Sequence, residues 1–142
     1  MMNTLQRFHD AQGEGPDAVI MQAVSELRTG RKQSHWIWFV LPQLRGLGQS
    51  AMSKRYGIHD LAEAQAYLAD PLLRERLETV IEVISDQLQK PNQSLSILMG
   101  SELDAAKTIS SLTLFPVAGL ASAERLLAQL GRSCKQTLRH LQ

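Results

Sequence analysis

Residues 70–89, DPLLRERLETVIEVISDQLQ, decide the fold class. Leu73, Leu77, Val80, Ile81, Ile84 and Leu88 recur at intervals of three and four, so they form one apolar stripe, while Arg74, Glu75, Glu78, Glu82 and Asp86 fall on other faces. Asp70 and Pro71 supply an N-cap and a first helical position. This longest element is expected to be the spine of the core. The same signals recur outward along the chain. Downstream, Ser101 is expected to cap a helix through Leu103, Ala106, Ile109 and Leu112 that ends before Pro116. Ser122 is expected to open another, closed by Gly131, and Ser133 with Gln136 resembles a capping box for a last short helix. Upstream, Asp60 and Glu63 frame the helix LAEAQAYL, and Val19, Ile20, Ala23, Val24 and Leu27 give a helix from Pro16 to the Gly30 stop. A shorter helix with Leu5 and Phe8 on one face precedes it. The expectation is a mainly α chain, residues 1–142 forming a single compact domain of about seven helices, with one short irregular or extended aromatic segment.

That segment lies in GRKQSHWIWFVLPQLRGLGQS, residues 30–50, which holds both tryptophans, Trp36 and Trp38, beside His35. Two apart, the indoles share a face in a strand and diverge by about 200° in a helix, which would put at least one of them in the core. Core packing is the favoured role for both. His35 is the candidate for proton chemistry, because an imidazole titrates near neutral pH. Arg31 and Lys32 precede the aromatic run, and Gln43, Arg45, Gly46, Gly48 and Ser50 follow it. GLGQSA imitates a dinucleotide-binding fingerprint, but Pro42-Gln43-Leu44-Arg45 separates it from the apolar run and no second strand with an acidic end follows. A lesser possibility survives, in which the glycines, Ser50 and nearby Arg45 meet a phosphate. The plainer reading is a turn with Ser50 as N-cap.

A second polar set falls in SELDAAKTISSLTLF, residues 101–115. Asp104, Lys107 and Ser111 lie at i, i+3 and i+7, one helix face, where carboxylate, ammonium and hydroxyl line either a cleft or an ordinary solvated surface.

Composition narrows the classes. With 15 Lys+Arg against 14 Asp+Glu, a nucleic-acid protein held by a broad electrostatic field is disfavoured. Cys134 is the single cysteine, and the four histidines have no ligand spacing, so no metal site and no cofactor are expected. The longest apolar run is six residues, so a membrane role is not expected and a cytoplasmic location is. The sequence is silent on oligomeric state.

The blocks LQRFHDAQ, GRKQSHWIWFVLPQLRGLGQS, YGIHDLAEAQAYLADPLLRERL and AAKTISSLTLF resemble the bacterial domain-of-unknown-function 1810 family, some members of which carry the label calpastatin. The resemblance spans nearly the whole chain and implies one mainly helical domain without implying an activity. A calpain inhibitor of that kind is a disordered repeat protein, unlike this packed-core pattern. In layout, though not in motif, the chain is also similar to helical proteins that bind or process NAD and ADP-ribose derivatives. Two readings follow. In one, the 30–50 segment and the Asp104–Ser111 face meet in a site for a phosphorylated small molecule, nucleotide or ADP-ribose-like. Arg31, Lys32 and Arg45 would counter charge there, one of Trp36 and Trp38 would stack on the ligand, His35 or Asp104 would handle protons, and Gln43, Gly46, Gly48, Ser50, Lys107 and Ser111 would complete the contacts. In the other, the chain is a non-catalytic helical protein–protein interaction module.

Overall fold

The fold follows from which helices can bury all of their circumference and which only a stripe. In the computed structural model, which describes residues 5–141, the elements are α1 (Gln6–Gln12), α2 (Val19–Arg28), α3 (Ile37–Val40), α4 (Ala51–Tyr56) and α5 (Leu61–Ala69). They continue with α6 (Pro71–Leu88), α7 (Leu95–Met99), α8 (Glu102–Ala118), α9 (Ala121–Leu130) and α10 (Lys135–His140). Six of these have seven residues or more, in line with the expected count, and the other four are shorter pieces. No strand forms among the described residues. Leu44 and Ile58 make an isolated parallel bridge, with Ile58 N–H donating to Gln43 O at 2.9 Å and Arg45 N–H to Ile58 O at 2.7 Å.

Side-chain caps set several starts as the sequence indicates. Ser50, Asp60, Asp70 and Ser101 each accept a backbone N–H from the first turn of the helix that follows, and Ser94 does the same for α7, a start the sequence pattern left unmarked. Glu63 departs slightly from a capping box: it accepts from His59 N–H rather than from Asp60 and pairs with Arg7 at 2.7 Å.

The spine is α8 rather than α6. Thr108 to Phe115 are buried without a break, so α8 has no solvent face there and packs on α3, α5, α7, α9 and α10. The longer α6 buries only its stripe, against α2, α5, α7 and α9. Periodicity favours the amphipathic helix because it shows a stripe, and a helix buried all round shows none. The hydroxyls on the buried stretch find partners where they can. Thr108 Oγ1 donates to Asp104 O, Thr113 Oγ1 to Ile109 O, and Ser110 Oγ meets Thr137 Oγ1 at 2.9 Å.

Other boundaries differ from expectation for local reasons. The helix after Pro16 starts at Val19, because Gly15 opens a turn closed by Ala18 N–H on its carbonyl. Pro116 does not end α8. A proline in the last turn removes one hydrogen bond, and the helix stops in a Schellman motif, with Gly119 N–H donating to Pro116 O and Leu120 N–H to Phe115 O. Leu120 and Cys134, not Ser122 and Ser133, occupy the cap positions of α9 and α10. The aromatic segment closes as a single helical turn, α3. No helix of the described residues is long and apolar enough to cross a membrane.

A second Schellman motif ends α2. Gly30 N–H donates to Leu27 O and Arg31 N–H to Glu26 O, with Gly30 at φ 99°. This reversal sends residues 31–36 back along α2. Gly30→Ala places a Cβ in a left-handed backbone conformation and should cost roughly 1–2 kcal/mol in urea unfolding. An unchanged midpoint and slope would show that the reversal tolerates a side chain.

Candidate functional site

The reversal at Gly30 brings the chain onto a carboxylate that the periodicity of α2 hides. Glu26 follows Ala23 and Val24 by three and two positions on the inward side of the helix, and it is 8% exposed. Its Oε1 accepts from Gln33 N–H at 2.8 Å, Ser34 N–H at 2.9 Å and the Trp36 indole N–H at 2.9 Å; Oε2 accepts from the Ser34 hydroxyl at 2.6 Å. Burial pushes this carboxyl up, but the Ser34 hydroxyl, Gln33 N–H, Trp36 indole and Ser34 N–H outweigh burial and hold it at about 2. Trp36 is thereby fixed in the core at 0% exposure.

With Trp36 fixed, Lys32 is directed toward α8. Its backbone N–H donates to Leu98 O at 2.7 Å, its ammonium lies 5.1 Å from the Trp36 ring centre, and Nζ is 2.9 Å from Asp104 Oδ2. Asp104 stands on the first turn of α8, set by the Ser101 cap. Its Oδ1 is 3.8 Å from Lys107 Nζ, and the Lys107 ammonium lies 5.2 Å from the Trp38 ring centre. Two ammoniums thus flank one carboxylate, each over an indole, leaving one positive charge in excess. The three side chains are 7% (Lys32), 18% (Asp104) and 20% (Lys107) exposed, shielded from water yet reachable from it.

Two buried polar atoms beside this cluster have no partner: Trp38 Nε1 and Ser111 Oγ. Trp38 carries the Lys107 ammonium on its ring, and Ser111 sits one turn beyond Lys107 on the same face of α8. Buried polar groups are nearly always satisfied, so orphaned ones require an account. Asp104 and Lys107 lie one turn apart and pair, as the i, i+3 spacing implies, and Ser111, a turn further on, is interior rather than solvated.

The other candidates lie apart from this cluster. Arg31 and His35 are exposed, outside the Lys32–Asp104–Lys107 contacts. Arg45 lines a separate groove of about 390 Å3 with His59, Asp60 and His140. Gly46 makes an exposed turn. Gly48 is where the chain passes closest to α4, since a Cβ there would meet Ser53 Oγ at 2.5 Å. Ser50 Oγ accepts from Ser53 N–H at 3.1 Å, so it caps the six-residue α4 with a donor that an anion would otherwise use. Gln43 adjoins Trp38 in a crevice of about 10 Å3, closed by Met52, Ser53, Tyr56 and Gly57. Sequence reasoning missed Glu26. The available signal was a carboxylate on the apolar side of an otherwise regular helix, which implies a paired, buried charge.

Together these observations define an all-helical domain with a half-buried, donor-rich cationic cluster where the 30–38 segment meets α8. The chain belongs to the family described as "Protein of unknown function (DUF1810)", whose model matches residues 2–141. It is similar to the conserved hypothetical protein Rv1873 from Mycobacterium tuberculosis, known from a crystal structure, at 42% identity and a TM-score of 0.85, over 96% of this chain and 95% of that one. No curated protein matches it.

The Glu26 contacts have a measurable consequence. A carboxyl lowered from 4.5 to about 2 stabilises the fold by roughly 3 kcal/mol above pH 4.5, a contribution lost as pH falls through about 2. Asp70 adds to the same acid window. Burial raises it, but the Leu73 N–H and His9, 2.7 Å away, lower it further. Glu26→Gln removes the first contribution alone, because an amide turns an NH2 toward donors. It should lower stability by about 3 kcal/mol at pH 7 and flatten the acid dependence between pH 4.5 and 2. Urea unfolding followed by tryptophan fluorescence at three pH values measures both, and a variant with wild-type acid dependence would remove Glu26 from this role.

Proposed function

We propose that the cluster of Lys32, Lys107, Asp104, Trp38 and Ser111 binds a phosphorylated small molecule of nucleotide or ADP-ribose type. The observation that carries this reading is the gathering of donors. Two ammoniums hold one carboxylate, and beside them the Trp38 indole N–H and the Ser111 hydroxyl lack acceptors. A group rich in acceptor oxygens satisfies such a set, and a phosphate brings both the oxygens and the charge that offsets the excess ammonium. Asp104 is the titratable group placed to exchange a proton with such a ligand. His35, on the solvent side of the segment, has no part in this reading.

The interaction-module reading draws no comparable support. Among the described residues, the large apolar side chains that remain exposed are Val19 and Met21 on α2, Leu72 on α6, Ile97 on α7, Leu103 and Val117 on α8 and Leu138 on α10. Spread at one or two per helix, they are ordinary surface.

Isothermal titration with ADP-ribose, NAD and AMP tests the reading directly. Wild type should bind at least one of them, and Lys107→Gln should weaken that binding about ten- to a hundredfold by removing a charged hydrogen bond to phosphate. Equal affinity in the variant would show that the ligand sits elsewhere.

A further inference from the structure

The cluster also limits which part of a nucleotide it can read. This inference rests on the phosphorylated-ligand reading above and specifies its chemistry. Lys32 and Lys107 flank Asp104 as donors to one acceptor, and unpartnered donors lie on Trp38, whose ring carries the Lys107 ammonium, and on Ser111, one turn beyond Lys107. An ionised carboxylate accepts only and offers about four lone-pair positions. Lys32 takes one on Oδ2 at 2.9 Å, whereas Lys107 Nζ at 3.8 Å from Oδ1 attracts by charge without reaching hydrogen-bond length. Oδ1 is therefore open to a donor from outside, on a residue whose side chain is 18% exposed. A phosphate monoester, largely doubly ionised at neutral pH, has no donor to offer it; the hydroxyls of the sugar that carries the phosphate do.

Stacking of a base is not provided for. Trp36 is fully enclosed, with its N–H committed to Glu26. On Trp38 one face carries the Lys107 ammonium, and the crevice beside the ring, at about 10 Å3, holds a single water rather than a heterocycle. What the indole offers is its N–H edge, a hydrogen-bond donor and not a stacking platform.

We infer that the site recognises a phosphorylated sugar through its phosphate and its vicinal hydroxyls, with Asp104 as the hydroxyl acceptor and the base of any attached nucleotide left unread. Carboxylates that accept from ribose hydroxyls are an established chemical pairing, and a site built for such a hydroxyl rejects the analogue that lacks it because its acceptor is then left unpaired.

Titration of the full chain with ribose 5-phosphate, 2-deoxyribose 5-phosphate, inorganic phosphate and the four ribonucleoside 5′-monophosphates tests this. Ribose 5-phosphate should bind about ten- to a hundredfold more tightly than either 2-deoxyribose 5-phosphate or inorganic phosphate, and the four nucleotides should agree within a few-fold. Asp104→Asn should abolish the ribose-to-deoxyribose difference while phosphate still binds; near-ultraviolet circular dichroism checks that this variant is folded. The wild-type comparison does not depend on the variant. Equal binding of ribose 5-phosphate and 2-deoxyribose 5-phosphate would reduce Asp104 to a counter-ion and overturn this inference, leaving the anion site standing. Strong preference for one base would overturn it likewise. Failure of every probe, ADP-ribose and NAD included, to bind wild type would overturn the ligand-site reading itself.

Discussion

The carboxylate of Glu26 is the constraint on which the candidate site depends. Four donors from residues 33, 34 and 36 converge on it, three of them on a single oxygen. A buried charge is tolerated only when its lone pairs are occupied, so the loop has to assume the shape that supplies those donors. That shape puts the Trp36 ring inside and turns Lys32 outward over it toward α8. It also starts α3 at Ile37, and so brings Trp38 against Lys107. One helical carboxylate thus sets both tryptophans and one of the two lysines. Its role is to position: the residues it places carry the charge.

The other half of the site is supplied by a helix unusual for its polarity. From Thr108 to Phe115 α8 is interior, yet four of those eight residues carry hydroxyls. A core helix of aliphatic residues alone would pack as well, and each buried hydroxyl must recover what it loses in leaving water. Three do so with neighbours inside the protein: Thr108 and Thr113 return to their own helix, Ser110 meets Thr137, and Thr113 also accepts Cys134 N–H at 2.9 Å, which seats α10. Ser111 is the exception, one turn beyond Lys107. The contrast within one helix gives its orphaned hydroxyl weight as a ligand group.

Much of the architecture was legible in the sequence, and the reasons it was or was not are local. Asp70-Pro71, Asp60, Ser50 and Ser101 mark helix starts because a side chain that caps acts within three residues, a range that sequence displays directly. Asp104, Lys107 and Ser111 share a face for the same reason. The centrality of α8 was hidden, because total burial erases the periodicity by which helices are recognised. Pro116 misled because a proline in a last turn costs little when a glycine three residues on ends the helix. In the site, Lys32, Asp104 and Lys107 come together where the 30–50 segment was expected to meet the Asp104–Ser111 face, while Arg31, His35 and Arg45, expected beside them, lie apart. The partners that assemble are Lys32 with Asp104, 72 positions apart in the chain. No local pattern reports such a pairing. Glu26 alone left a trace, as a charge on an apolar face.

The two halves of the site are held by independent means, and this bears on what a ligand would do. Lys32 is tied to α2 through the Glu26 loop and to α7 through Leu98 O. Asp104 and Lys107 ride on α8, seated by the Ser101 cap and by burial against α5 and α9. Between the lysine of one frame and the carboxylate of the other there is an ion pair at 2.9 Å, and such a pair gains little once desolvation is counted, while loss of one partner is costly. It is therefore better suited to fixing the registry of the two frames than to stabilising the fold. An anion seated among the two ammoniums, the indole N–H and the Ser111 hydroxyl would touch both frames at once. It would add attraction where the protein alone has an uncompensated ammonium, and its binding energy would appear as resistance of the 30–38 segment and α8 to separation. Bound there, the proposed ligand would bridge the 30–38 segment and the buried spine, and so stabilise the contact between them.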